Sequence, residues 1–240
     1  MTKYARIRTD GAVECRFQRI RFDLPCDIPT LAQQLHAALS PRTGMDLSAI
    51  QTLPGTTYAD VGLRASLFGG QASLEVRADR SLVAFSRLVL DSEILLALEC
   101  AELVTAALRE CWTDFRLAET RIKASSWLKF RDDAASADAL LASAISEHSK
   151  PDLTAYPGAE RVTSSLACRV DNSSEGWSWT MTLERSAIRE ANLYTLMESS
   201  FQSEGRFSKL TEQAKFLSDA YIRYLEQFNL APENETATTP

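Results

Sequence analysis

The sequence predicts an α+β fold made by internal duplication of a strand–helix–three strands–helix unit, with antiparallel sheet and helices on one face. Three observations predict it. Short segments alternate apolar and polar residues with the period of a strand, as at Val61, Leu63, Ala65 and Leu67. Longer segments place apolar residues every three or four positions, as at Ile94, Leu98, Ala101, Val104, Leu108 and Cys111. The order of these segments recurs, and corresponding segments are offset by roughly 100 to 115 residues.

The first unit, residues 1–113, opens on Val13, Cys15 and Phe17, which alternate with polar residues. Ile20, Phe22 and Leu24 alternate on the opposite parity, which predicts a strand with a bulge near Gln18–Arg19. Asp27 and Pro29 start a helix whose stripe is Ile28, Leu31, Leu35 and Leu39, and Pro41 stops it. Residues 42–56 are a loop. Gly69-Gly70 turns the alternation of Val61 to Leu67 into Ala72, Leu74 and Val76, and Asp79-Arg80 turns it again into Leu82 to Leu90. Asp91 caps the long helix that carries Ile94 to Cys111.

The second unit, residues 114–230, repeats the order and packs on the first. Phe115 to Phe130 is a strand, and Asp132-Asp133 caps a helix with Leu140, Leu141, Ala144 and Ile145. Lys150-Pro151 ends that helix, and Tyr156-Pro157-Gly158 is a loop. Val162, Leu166, Cys168 and Val170 form a strand, and residues 172–176 turn into Trp177, Trp179, Met181 and Leu183. Ala191 to Phe201 is a third strand. Ser208 caps a final helix with Leu210, Ala214, Leu217, Tyr221, Leu225 and Phe228. Residues 231–240 have no large apolar side chain and read as a disordered tail.

Composition narrows the class. With 240 residues, 45% of them hydrophobic and a net charge of −6, the chain is neither collagen-like nor wholly disordered. No run of about 20 apolar residues predicts a membrane span, and no apolar run follows the basic N-terminus as in a signal peptide. Cys15, Cys26, Cys100, Cys111 and Cys168 are an odd set without a CxxC pair, so the expected location is cytoplasmic, with reduced thiols. Cys100 and Cys111 share a helix face and read as core residues.

Chemistry is sparse. The two histidines, His36 and His148, lie far apart, so no local metal site is expected. GxSxG, GxxxxGK[ST] and GxGxxG are all missing, and Gly69-Gly70 is a hairpin turn. Glu99, Glu102 and Glu110 belong to the polar side of a helix. The expectation is no enzyme, no cofactor and no metal.

Two features point to partners. Both units open on a cationic strand: Lys3, Arg6, Arg8, Arg16, Arg19 and Arg21 against Asp10, Glu14 and Asp23 in one, and Arg116, Arg121, Lys123, Lys129 and Arg131 against Glu119 in the other. With Trp127 among them, Arg16, Arg19, Arg21, Arg121, Lys123 and Lys129 are the candidate contacts for a nucleic-acid backbone or single-stranded RNA. Lysine and arginine also protect solvated strands from aggregation. The row Trp177 and Trp179, with Phe216, Tyr224 and Phe228 on the last helix, reads as a partner or subunit interface.

Three segments, VECRFQRIRFDLP, LRECWTDFRLAETRIKASSWLKF, and the stretch from GWSWTMTL to AYIRYLEQF, give the chain a full-length resemblance to a sporadically distributed family of uncharacterised bacterial proteins of about this size. The chain lacks the tyrosine- and proline-rich openings of that pattern. The resemblance implies a bacterial accessory protein of a multi-gene system and no catalytic residue. The expected function is therefore a non-catalytic cytoplasmic protein-binding or assembly component of a bacterial multi-protein system, with a protein partner or self-association. The alternative is a nucleic-acid-binding subunit of a bacterial ribonucleoprotein or antiviral defence complex.

Overall fold

The computed structural model describes residues 1–57, 60–89, 91–131, 136–144 and 165–233. In chain order these form β1 (Thr2–Phe17), α1 (Leu24–Thr43), β2 (Ile50–Leu53), β3 (Gly62–Leu67), β4 (Ala72–Arg77), β5 (Arg80–Leu88) and α2 (Asp91–Cys111). Next come β6 (Leu117–Phe130), α3 (Ala137–Ala144), β7 (Ser165–Asn172), β8 (Trp177–Arg185), β9 (Leu193–Gln202), α4 (Leu210–Glu226) and β10 (Leu230–Pro232). The fold is α+β.

All ten strands join one sheet in the order β2-β3-β4-β5-β1-β6-β9-β8-β7. Every neighbouring pair on this path is antiparallel, and β10 pairs in parallel with the start of β1. The first and sixth strands form the middle, with Thr9 opposite Ser126 and Val13 opposite Ile122.

Alternation decides the two faces. Val13, Cys15, Ile122, Leu128, Met181, Leu183, Met197 and Phe201 point to one side and are buried there. The four described helices lie on that side. Leu24, Leu31, Leu35 and Leu39 bury one stripe of α1, which packs against α2 and β3. Leu98, Ala101, Val104 and Leu108 bury the matching stripe of α2 over β5 and β1.

A register shift between Arg6 and Arg8 puts those residues opposite Leu128 and Trp127, which are adjacent on β6. Residues two apart on a strand normally share a face. Here the bulge sends Arg6 to the helix side and Arg8 to the other.

Several boundaries differ from the sequence reading. The first strand ends at Phe17, with its late register shift at Arg16–Phe17 and not at Gln18–Arg19. Ile20 and Phe22 are 54% and 65% exposed, so their alternation belongs to a turn. The first helix begins at Leu24, with Pro25 in its first turn, where proline lacks no needed donor. Residues 42–56 hold the last two residues of α1, a 3-10 turn and β2, where Ile50 and Leu53 stand three apart and so show no strand alternation. Lys209, not Ser208, is the N-cap residue of α4, and no side chain caps it. The tail does not start at 231: Ala231 and Pro232 pair with Lys3 and Tyr4, and the Glu233 amide donates to the Tyr4 carbonyl (2.8 Å). The expectations for the Asp91 cap, Asp132-Asp133, Ile145, His148, Lys150-Pro151, Tyr156 to Gly158, Val162 and residues 234–240 fall outside the described residues or side chains.

Candidate functional site

The side of the sheet that carries no described helix is polar. Its strands repeat a short pattern in which an acid and a base stand two positions apart. Examples are Arg8 with Asp10, Glu14 with Arg16, Glu75 with Arg77, Glu119 with Arg121, and Arg169 with Asp171. Two-residue spacing puts both members on one face, and each pair forms an ion pair. Arg16 Nε donates to Glu14 Oε1 at 2.6 Å, Arg121 Nε to Glu119 Oε2 at 2.9 Å, and Arg169 Nε to Asp171 Oδ2 at 2.9 Å. Arg8 grips Asp10 with two nitrogens. Lys123 pairs across strands with Glu198 at 2.8 Å.

On the middle strands of this face, toward one end of them, Trp127 on β6 packs against Tyr194 on β9, with ring centroids 5.2 Å apart. The Arg8 guanidinium lies 4.7 Å from the Trp127 ring centroid, a favourable cation–π distance. The Tyr194 hydroxyl donates to Ser125 Oγ at 3.0 Å. Trp127, Tyr194 and Arg8 are all half-buried. The cluster is thus an aromatic patch with a cation laid over it, on a face where Arg8, Arg16, Arg121 and Lys123 are paired with carboxylates.

The expected nucleic-acid contacts separate under this geometry. Arg16, Arg121, Lys123, Trp127 and Lys129 do share the face, but Arg16, Arg121 and Lys123 each hold a carboxylate. Arg19 sits in the turn after β1. Arg21 does not belong with them. It stacks on Trp112 at 4.7 Å and pairs with Asp23 (2.8 Å) and Asp114 (2.7 Å), leaving its side chain 11% exposed. It is a bracket between the start of α1 and the end of α2.

The residues expected at a partner interface pack on one another within the chain. Trp177 packs on Phe216 (4.8 Å), Trp179 on Tyr224 (6.2 Å), and Tyr224 on Phe228 (5.3 Å). These five side chains meet each other as the seam between β8 and α4. The sequence showed two aromatic stripes but not that each covers the other.

Asp10 and Glu119 are held below the ordinary carboxylate range. In both, burial opposes ionisation and is outweighed. At Asp10 the Arg8 guanidinium and the Arg87 amide (2.7 Å) donate to it, and at Glu119 the Ser200 hydroxyl and the Arg121 guanidinium do. A carboxyl with a depressed folded pKa adds stability above its unfolded pKa and loses it as pH falls through the folded pKa. The urea midpoint is therefore expected to hold from neutral pH to about pH 5 and to fall below about pH 4. Asp10→Asn should flatten that fall, and an unchanged acid slope would place its origin elsewhere.

The thiols are conventional. Burial pushes Cys100 up to about 11 and also raises Cys15, so both stay protonated at neutral pH. All five cysteines are free. Among the described residues no cluster of His, Cys, Asp or Glu is arranged to hold a metal ion. His36 lies half-buried on α1. No described helix is long and apolar enough to cross a membrane.

Arg8 entered the sequence analysis only as part of the first cationic strand, and Tyr194 was not a candidate. The Arg-x-Asp spacing was a readable signal for the pairing of Arg8 with Asp10. Nothing local signals Tyr194, because its partner Trp127, on the neighbouring strand of the sheet, lies far away along the chain.

No family model and no curated protein matches the chain. Among solved structures, the chain is similar to Methanococcus jannaschii TBP at 12% identity, over 94% of this chain and 99% of that one, with a TM-score of 0.33. A likeness that slight fixes neither fold nor function.

Proposed function

We propose that this chain is a non-catalytic protein-binding component of a bacterial multi-protein system, cytoplasmic in location, that docks a protein partner on the helix-free face. The observation that carries the reading is the Trp127–Tyr194–Arg8 cluster on the middle strands of that face. Aromatic side chains and arginine are enriched at the centres of protein interfaces, with polar residues around them. Arg8, Arg16, Arg121 and Lys123 on this face are matched by carboxylates, so much of the long-range attraction on which phosphate binding depends is cancelled. We further propose that the chain arose by duplication. The sheet order supports this: outward from the central pair, β1, β5, β4, β3 on one side correspond to β6, β9, β8, β7 on the other.

A second reading, binding of single-stranded nucleic acid, is favoured by Trp127 and Tyr194 standing on an open sheet beside Arg8, where bases could stack. One experiment separates the two. The tagged protein and a Trp127→Ala/Tyr194→Ala variant are purified from the native host with and without nuclease. A stoichiometric protein that survives nuclease and is lost from the folded variant is the expected result. Nucleic acid retained at low salt, and lost from the variant, would replace it with the second reading. Identical recovery from both forms would remove the face from consideration.

A further inference from the structure

On the opposite side of the sheet, α2 and α4 lie together over its middle strands. They are tied where Glu102 Oε1 accepts a hydrogen bond from the Thr211 amide at 3.0 Å. Between them is a cavity of about 520 Å³, within the usual range for small-molecule sites of roughly 300–1,000 Å³. Its walls are apolar. Ile94 and Leu98 come from α2, Leu217 from α4, and Ile122 and Met197 from the sheet. Leu95 stands at the mouth, 55% exposed.

The cavity is lined at its base by polar groups. Arg6, Thr9, Ser126 and Tyr221 all face it. Thr9 Oγ1 and Ser126 Oγ are 3.0 Å apart, and the Tyr221 hydroxyl is 3.0 Å from Thr195 Oγ1. The Arg6 guanidinium reaches this side because the bulge after it reverses the strand's parity, and its Nε is buried. Lys215 and Asp219 stand on the exposed rim with opposite charges, where solvent and salt screen them.

We propose that this cavity binds a single-chain amphiphile with a carboxylate head, such as a fatty acid. The chain would lie along the apolar walls, and the head would meet Arg6 and the hydroxyls. A guanidinium has five N–H donors in a planar fork, so it can take a carboxylate in a two-pronged grip alongside contacts it already makes. Hydroxyl groups can donate to the remaining oxygen lone pairs. The guanidinium among these hydroxyls favours an anionic head over a neutral or cationic one of equal chain length. This inference is independent of the partner on the other face, and either can fail alone.

The full chain is titrated with dodecanoate below its micelle concentration, and with dodecanol and dodecyltrimethylammonium as comparators, by calorimetry and thermal melting. Dodecanoate at about a hundredfold over its Kd is expected to raise Tm by about 5–10 °C. It should bind about tenfold or more tightly than dodecanol, and the cation should not bind. Arg6→Gln should bring dodecanoate down to the level of dodecanol. Ala214→Phe fills the cavity from the α4 wall and should abolish binding. Ser218→Phe, at the exposed rim, serves the same purpose if circular dichroism shows Ala214→Phe to be unfolded. The proposal is overturned if dodecanoate does not bind, if all three amphiphiles bind alike, or if a folded filled variant binds as well as the wild type.

Discussion

Replacing Gly11 with alanine is expected to cost about 3 kcal/mol or more, and with valine to leave little folded protein at 37 °C. Gly11 lies on β1 between β5 and β6, opposite Phe85 and Ala124. A Cβ built there falls 2.6 Å from the Lys123 carbonyl oxygen and 2.6 Å from Phe85 Cζ. The Phe85 ring is buried, and the Lys123 oxygen is backbone in the adjacent strand. Neither can give way cheaply, so the central pair of strands has to part. A urea melt followed by circular dichroism measures the loss. Gly11→Ala combined with Phe85→Ala should cost less than the sum of the two, because one substitution makes room for the other. Simple additivity would mean that the ring is not what glycine accommodates.

Trp112→Ala is expected to cost about 3–5 kcal/mol, the range for deleting a buried tryptophan. Trp112 is buried at the end of α2 and packs against Phe17 (6.2 Å) and Phe115 (6.2 Å). Its Nε1–H donates to Asp27 Oδ2 on α1 at 2.8 Å, and the Arg21 guanidinium covers its ring. One side chain therefore holds the first strand, the first helix and the second helix together. Trp112→Phe keeps most of the packing and removes the bond to a carboxylate, so its expected cost is smaller, about 1.5–3 kcal/mol. Equal costs for the two variants would assign the whole effect to the hydrogen bond.

The parts of this fold that were readable are those where one strand or helix states its own period. Leu63, Ala65 and Leu67 alternate inward, and Leu31, Leu35 and Leu39 recur along one stripe, so local chemistry fixed both element type and buried face. The opening segment was harder, because Ile20 and Phe22 mimic a strand period in a turn that leaves both exposed. The basic strands were visible as charge but not as pairs. Summing charges along a segment ignores that Glu14 and Arg16, or Glu119 and Arg121, stand side by side on one face. The aromatic stripes were visible too, yet an apolar stripe announces only that something covers it. Here β8 and α4 cover each other through Trp177, Phe216, Trp179 and Tyr224. Long-range register could not be read at all, so neither the pairing of Trp127 with Tyr194 nor the cavity between α2 and α4 had any local sign.

Placing the first strand in the middle of the sheet has a consequence in time. Thr9 and Ser126, which touch across the central pair, are 117 positions apart in the chain. At usual translation speeds of about 5–20 residues per second, β1 leaves the ribosome on the order of ten seconds before its β6 neighbour. It can pair with β5 in that interval, but its other edge stays open, and open edges invite association with other nascent chains. Thr2 waits longer still, because its parallel partner is Leu230. The strand synthesised first is thus among the last to be fully enclosed, and the folding rate is governed by contacts that only a nearly complete chain can make.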